Sequence, residues 1–517
     1  MLKISDIYMG SIDAKNELLE GTDEEAQSFL AAFVVPPSLS IDKFYKKLKY
    51  YVVGLKGTGK TALLRYIALK LESQGSKTQM ILFKSQIKEE LRKDFSKAAR
   101  VKLTEDNIDS FDGTDFEAVW RWFIYRKIVE AVRDHSTGFV EQNEQFEKFS
   151  ELVNADTYGD DKKGLLARLI PKIKKGHIEI SHSPKLGLDL EWDSEGKANV
   201  DFNALVQKAD EAFSSLTGSN NRLNILFDEL ELNHNTEKQY KRDSQLIRDL
   251  IVSVESVNAV AKAKKINICI YAAIRSEVVN SVESLGKEVN KPISDFGTEI
   301  LWNKPGVDSS QQPLLNIIEQ RINIAREKTG LDKLTSQEVW RQYFPDKIIK
   351  LQPQVYILHN SWYRPRDIVR LLLIAQDQDT TATFFSVQAF EAIRKKYSTA
   401  SWVEMTEELR SKYKPSEIDG IKSLFYGFKG ISTVGELNAR SVVVGLENTD
   451  AKELFKKYSV QEILRDLFRI GVIGNIDPGH NRNMRFSFRG DDEIIFSKEI
   501  FVHNALRAHL SLQYGRD

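Results

Sequence analysis

With one cysteine in 517 residues there is no second thiol to pair with. A disulfide framework is excluded, and Cys269, inside the apolar run INICIYAAI, reads as a buried core residue of a chain kept in a reducing compartment. The eight histidines are scattered and form neither HExxH nor a Cys/His ligand set, so no zinc site is supported. No stretch of about 18 apolar residues occurs. The opening MLKISDIYMGSIDAKNELLEG alternates polar and apolar residues and lacks the hydrophobic segment of a secretory signal. We therefore expect a cytoplasmic protein without membrane contact. Excess charge is lacking too: 74 basic and 74 acidic residues cancel, so any contact with nucleic acid must be local. There is no internal repeat or low-complexity tract, and a chain of this length divides into roughly two to four packed units.

What the sequence does contain is a phosphate grip. Gly54-Leu-Lys-Gly57-Thr58-Gly59-Lys60-Thr61 satisfies G-x-x-x-x-G-K-[ST] in full, after the β-rich run KYYVVG and before TALLRYIALKLES, whose Leu63, Leu64, Ile67 and Leu71 have helical spacing. Glycines let backbone N–H groups turn towards a phosphate chain, and the helix amino terminus adds its dipole. Gly54, Gly57, Thr58, Gly59, Lys60, Thr61 and Ala62 are the expected nucleotide contacts. Lys60 would reach the β and γ phosphates, and Thr61 would bind Mg²⁺. The alternative is a Gly-rich turn with Lys60 on the surface.

A second element must position metal and water. In RLNILFDELEL the apolar residues from Leu223 to Phe227 read as a buried parallel strand with Asp228 and Glu229 at its carboxyl end, where ligands bind in open α/β sheets. Asp228 would hold Mg²⁺ and Glu229 would act as general base towards water. The competing reading is an acidic surface turn that starts a helix. The next apolar run, KINICIYAAIRSEV, is another strand. Its end offers Arg275 and Ser276 either as γ-phosphate sensors or as a surface charge beside a helix cap.

Missing motifs narrow the class. No LSGGQ-like signature lies between Lys60 and Asp228, and NKPI and NKPG lack the aspartate of a guanine-reading N-K-x-D, so ATP is the expected nucleotide. With FDE, INICIYAAIRS, GTEILWNKP followed by LLNIIEQRI, and SWYRPRDIVRLLLIA, the chain resembles P-loop ATPases of the AAA+ and STAND type. Within that group it is most similar to a bacterial family related to the Orc/Cdc6 and STAND ATPases, several of whose relatives act in defence against phage. The resemblance covers about residues 1 to 375, plus a winged-helix-like tail. It implies that YRPRDIVRLL lies in a helical lid, with Arg366 or Arg364 as a second sensor and Pro365 near the base or ribose. The plainer account of that stretch is a Pro at the first turn of an amphipathic helix, with Ile368, Leu371 and Leu372 facing the core. No trans-acting arginine finger is identifiable, which departs from closed-ring AAA+ proteins and leaves homo-oligomer formation open.

Lys60 and Asp228 stand 168 positions apart, more than one strand and helix need. The intervening FEAVWRWFIYRKIVEAV is apolar on several faces and reads as a buried helix, and GHIEISHSPKLGLDLEWDSEGKANVDF alternates like a β-hairpin or meander. Asp189 with Glu195 and Lys197 resembles a nuclease D…ExK pattern, although a solvated hairpin tip explains the composition more simply. In the tail, SVQEILRDLFRIGVIGNI is an amphipathic helix running into a strand, and a turn-rich hairpin follows. Arg465, Arg469, Arg482, Arg485 and Arg489 would meet nucleic-acid phosphates if this module binds DNA. The acids Glu462, Asp466 and Asp477 leave residues 461–490 with a net charge of only +2, which favours packing against protein.

The expectation is an α/β chain with a P-loop core of parallel sheet and helical lid. Its parts are 1–100 and 221–325 for the core, 101–220 for an α+β insert, 326–400 for the lid and 401–517 for a winged-helix-like domain. Its activity would be ATP hydrolysis with Mg²⁺, serving a switch that acts on a protein partner or effector. The alternatives are an Orc/Cdc6-like DNA-binding ATPase and, more weakly, an effector with a nuclease site in the insert.

Overall fold

The structure is a computed structural model. It describes residues 2–14, 22–86, 92, 116–134, 138–155, 173–174, 177–181, 191, 194, 197–232, 237–283, 287–410, 412–477, 484–491 and 493–513. The chain forms two compact units. One comprises Leu39–Gly54 and Lys60–Ile300, and the other Met1–Ser38, Leu55–Gly59 and Leu301–Asp517. Among the described residues no helix is long and apolar enough to cross a membrane.

The unit that contains Lys60–Ile300 is built on a parallel sheet. Its strands are β1 (Tyr51–Gly54), β2 (Lys77–Leu82), β6 (Leu223–Leu230), β7 (Ile268–Arg275) and β8 (Gly297–Glu299), in the order β2-β6-β7-β1-β8. The remaining strands, β3 (Ile173–Lys174), β4 (His177–Ser181) and β5 (Lys197–Asp201), form a separate antiparallel sheet. β1 and nearly all of β6 and β7 are buried, as continuous apolar runs in a parallel sheet require. The helix Lys60–Glu72 packs on β2, β6 and β7, turning in Leu63, Leu64, Ile67 and Leu71.

Between β2 and β6, the helix Glu117–Arg133 is buried on nearly every face. Trp120 meets Phe227 edge-on at 5.8 Å and donates its indole N–H to the Leu246 carbonyl of the helix Glu237–Ala263. β4 and β5 pair antiparallel, with Ile178, Ile180, Ala198 and Val200 turned to the buried side, so the expected alternation is present. Asp189 and Glu195 lie outside the described residues.

The other unit is mostly helical. Residues 1–38 belong to it: Gln376 donates to the backbone carbonyls of Ile4 and Ile7, and the side chains of Ile4, Ile7 and Met9 are buried. In the tail come the helices Pro415–Phe425, Val434–Glu447, Thr449–Lys457 and Val460–Arg469. They are interleaved with β9 (Ile431–Ser432), β10 (Ile473–Ile476), β11 (Met484–Arg485) and β12 (Glu499–Val502), a sheet in the order β11-β10-β12-β9 whose paired strands all run antiparallel. Gly471 turns into this sheet at φ 82°, and a Cβ there would sit 3.0 Å from both Phe488 and Trp362. Gly471→Ala is expected to cost about 1–3 kcal/mol of stability from left-handed strain and crowding together, read from denaturant melts.

Candidate functional site

β1 ends at Gly54, and the loop that follows turns twice through left-handed backbone, at Gly57 (φ 82°) and Gly59 (φ 96°). The Thr58 hydroxyl donates to the Leu55 carbonyl at 2.8 Å. Lys60 opens the following helix. It is buried rather than on the surface, and its ammonium donates to the Gly54 carbonyl at 2.9 Å.

The acidic pair lies within β6, which continues to Leu230, so DEL is strand and not the start of a helix. Asp228 is 3% exposed, and its Oδ2 is buried without a hydrogen-bond partner among the described residues. Burial pushes its carboxyl up from the ordinary value, against a hydrogen bond from Thr61, the backbone N–H of Glu229 and the charge of Lys60. Glu229 has φ 55°, left-handed backbone in a non-glycine residue, at an irregularity in the β6–β7 register between Phe227 and Leu230. Such a conformation costs roughly 1–2 kcal/mol and aims the side chain away from the strand's ordinary alternation. Its carboxylate accepts from the Ser85 N–H at 2.9 Å and from the Ser85 hydroxyl.

β7 runs between β1 and β6, and the register sets Arg275 beside Gly54. Arg275 is ion-paired with Glu231 and, at 3.4 Å, with Glu277; Lys84 also reaches Glu231, at 2.7 Å. Ser276 begins the helix Ser276–Glu283, and its buried hydroxyl has no hydrogen-bond partner among the described residues. Sequence reasoning missed Ser85 and Glu231. The rule used for Asp228, polar residues at the carboxyl end of a parallel strand, would have found Ser85 just after β2.

Within the helical unit, the residues Leu55–Gly59 lie against the start of the helix Pro365–Gln376. The Gly57 carbonyl accepts from the Arg366 N–H at 3.4 Å, and a Cβ on Gly57 would come to 3.4 Å from Arg366 Cβ and 3.5 Å from Arg364 Cδ. Pro365 occupies the first turn, 4.0 Å from the Cβ that Gly59 lacks, and Ile368, Leu371 and Leu372 are buried behind it. Arg364 is locked in place: its side chain is 4% exposed, with one Nη on the Met405 sulfur at 3.6 Å and Glu408 at 3.8 Å. Arg366 pairs with Glu404 at 2.9 Å and donates to the Ile12 carbonyl at 3.1 Å. Ahead of them Trp362 and Tyr363 both have left-handed backbone. Trp362 stacks on His503 at 3.9 Å, and its indole N–H donates to the Gly471 carbonyl at 2.7 Å. Burial holds the His503 imidazole well below its ordinary value, so the ring packs as a neutral aromatic.

The described tail arginines have partners inside the protein. Arg485 pairs with Asp491 at 2.7 Å, Arg489 lies over the Tyr363 ring at 4.8 Å, Arg465 lies over Phe496 at 5.2 Å, and Arg469 reaches Asp466 at 3.4 Å. Arg482 lies outside the described residues.

Residues 312–406 match the family described as the FunZ-associated C-terminal helical domain. The match runs from just before the helix Asn316–Lys328 into the last turn of the helix Val387–Leu409, and so takes in Arg364, Pro365, Arg366 and Glu404. No curated protein matches the chain.

Proposed function

We propose that this chain is a P-loop ATPase that works as a nucleotide-driven regulatory switch. The observation that carries the reading is at the carboxyl edge of one parallel sheet. There a loop with two left-handed glycines opens the helix Lys60–Glu72, and Thr61 at its start neighbours a buried aspartate, Asp228, one of whose oxygens has no hydrogen-bond partner among the described residues. An orphaned carboxylate oxygen in the sheet interior is costly unless a ligand completes it, and a hard divalent cation suits an oxygen pair of this kind.

Thr61 and Asp228 would hold Mg²⁺, which when bound offsets phosphate charge. Lys60 would exchange the Gly54 carbonyl for phosphate oxygen, the loop N–H groups would orient the phosphate chain, and Glu229 would take the proton of water. Arg275, beside Gly54, would sense the γ-phosphate and report it through Glu231. Walker A and Walker B would then be residues 54–61 and 223–229, residues 326–400 would form the lid, and the tail would be winged-helix-like. Because its described arginines already have protein partners, we read that tail as a protein-contacting module.

A role as the ATPase component of a bacterial anti-phage defence system rests on the resemblance of the sequence. The match at residues 312–406 is to a domain described by what it accompanies, which suits a switch that serves another module.

The test is calorimetry with Mg²⁺ and ATP. Lys60→Ala should weaken ATP binding by about tenfold or more, the usual effect of losing a charge-assisted hydrogen bond, with the fold retained by circular dichroism. Unchanged affinity would remove the nucleotide assignment.

A further inference from the structure

We propose that Glu404 is a positioning residue for Arg366: it parks the guanidinium beside the glycine loop until nucleotide phosphate takes its place, and so sets how strongly the lid tells ATP from ADP. The inference rests on the nucleotide reading above.

Three cations converge on this one carboxylate. Lys56 of the loop lies at 3.1 Å, Arg366 at 2.9 Å and Arg370 at 3.0 Å. Burial alone would raise the Glu404 carboxyl, but Lys56, Arg366 and Arg370 outweigh it and hold the group at about 2, so it stays ionised. The three cations differ in what else they hold. Lys56 also pairs with Glu407 at 2.8 Å and Arg370 with Asp367 at 3.5 Å, whereas among the described residues the ion pair of Arg366 is with Glu404.

That asymmetry permits an exchange. Removing one partner of a buried ion pair is costly because it strands a charge. If Arg366 leaves, Glu404 keeps Lys56 and Arg370, so nothing is stranded on its side. On the other side, the incoming phosphate compensates Arg366. Little else has to move, because the Arg366 backbone N–H already bonds to the Gly57 carbonyl and its Cβ lies against the loop. Its side chain is 23% exposed, against 4% for Arg364, which distinguishes the arginine able to swing from the one packed in place. The extra charge of the γ-phosphate makes ATP the stronger competitor for Arg366, so the grip of Glu404 enters the ATP/ADP ratio.

The experiment measures ATP and ADP affinities with Mg²⁺ by calorimetry for the parent, Glu404→Gln, Arg366→Ala and the double variant. Glu404→Gln should tighten ATP about three- to tenfold and ADP less, raising the ATP/ADP affinity ratio. In the Arg366→Ala background the same replacement should leave the ratio unmoved. Glu407→Gln, whose carboxylate pairs with Lys56 and with no other cation among the described residues, should also leave it unmoved. If Glu404→Gln does not fold, Glu404→Asp, which keeps the charge but shortens its reach, should raise the ratio by a smaller factor. A ratio that stays at the parental value, or that rises equally without Arg366, overturns the proposal while the nucleotide reading stands. A parent that binds no ATP, or binds it equally after Lys60→Ala, overturns both.

Discussion

Glu229→Gln is expected to leave Mg²⁺-dependent ATP binding in place and to cut turnover by about 10² to 10⁴, the usual span for loss of a general base. The amide keeps the size of the side chain, and its oxygen can still accept from the Ser85 N–H and hydroxyl, so the backbone turn at φ 55° keeps its anchor. What it loses is the capacity to take a proton. Both Ser85 bonds fall on one oxygen, Oε2, so a proton taken at Oε1 would leave them in place. Phosphate release and ATP affinity, measured on the same preparation, separate the two effects. A variant that turns over at the parental rate would take the base role from Glu229, and Glu231, two residues along and held by Arg275, would be the next carboxylate to test. If the chain is a switch, the slowed variant should also lengthen the life of its complex with a partner.

The parts of this site legible in the sequence are those in which chemistry and chain position coincide. Gly57, Gly59, Lys60 and Thr61 are contiguous, and their conformations follow from residue type. Asp228 and Glu229 end an apolar run, and the edge of a parallel sheet is where a charge at that position has to emerge. Strand order was not legible: β1, β6 and β7 each carry a buried apolar run, and such runs hold no information about which neighbours they choose. The left-handed turn at Glu229 was hidden for a related reason, since a register irregularity is a property of two strands and not of one.

Long-range ion pairs were the least visible. Lys56 and Glu404 lie in distant parts of the chain, and nothing in either local pattern distinguishes them from solvated surface charges. In the tail, counting charges set a net of +2 against the acids but could not pair Arg485 with Asp491, or place Arg489 on Tyr363. Pairing converts these arginines from open phosphate contacts into packing groups. A charge count gives the number of cations in a segment, and only the structure shows which of them are already engaged.

Asp228→Asn should act in two opposite directions. In the nucleotide-free protein the fold holds the Asp228 carboxyl above its ordinary value, burial being the main cause. As pH rises, the unfolded chain therefore gives up this proton before the folded chain does. Stability is lost between the unfolded and folded values, and the full cost is present above the folded one. Asparagine cannot ionise, so at neutral pH the replacement removes that cost. We expect the melting temperature at pH 7 to rise by a few degrees, corresponding to about 1–3 kcal/mol of relieved desolvation. The gain should vanish in melts taken below the ordinary aspartate range, where both forms are neutral. The same change removes an anionic oxygen from the pair that would hold Mg²⁺, so the Mg²⁺-dependent part of ATP affinity should fall by about tenfold or more. A lower melting temperature at pH 7 would mean that the bonds from Thr61 and the Glu229 N–H outweigh burial. Unchanged Mg²⁺ dependence would take Asp228 out of the metal site. A more stable protein that has lost its metal response is the result expected of a residue kept for function at the expense of the fold.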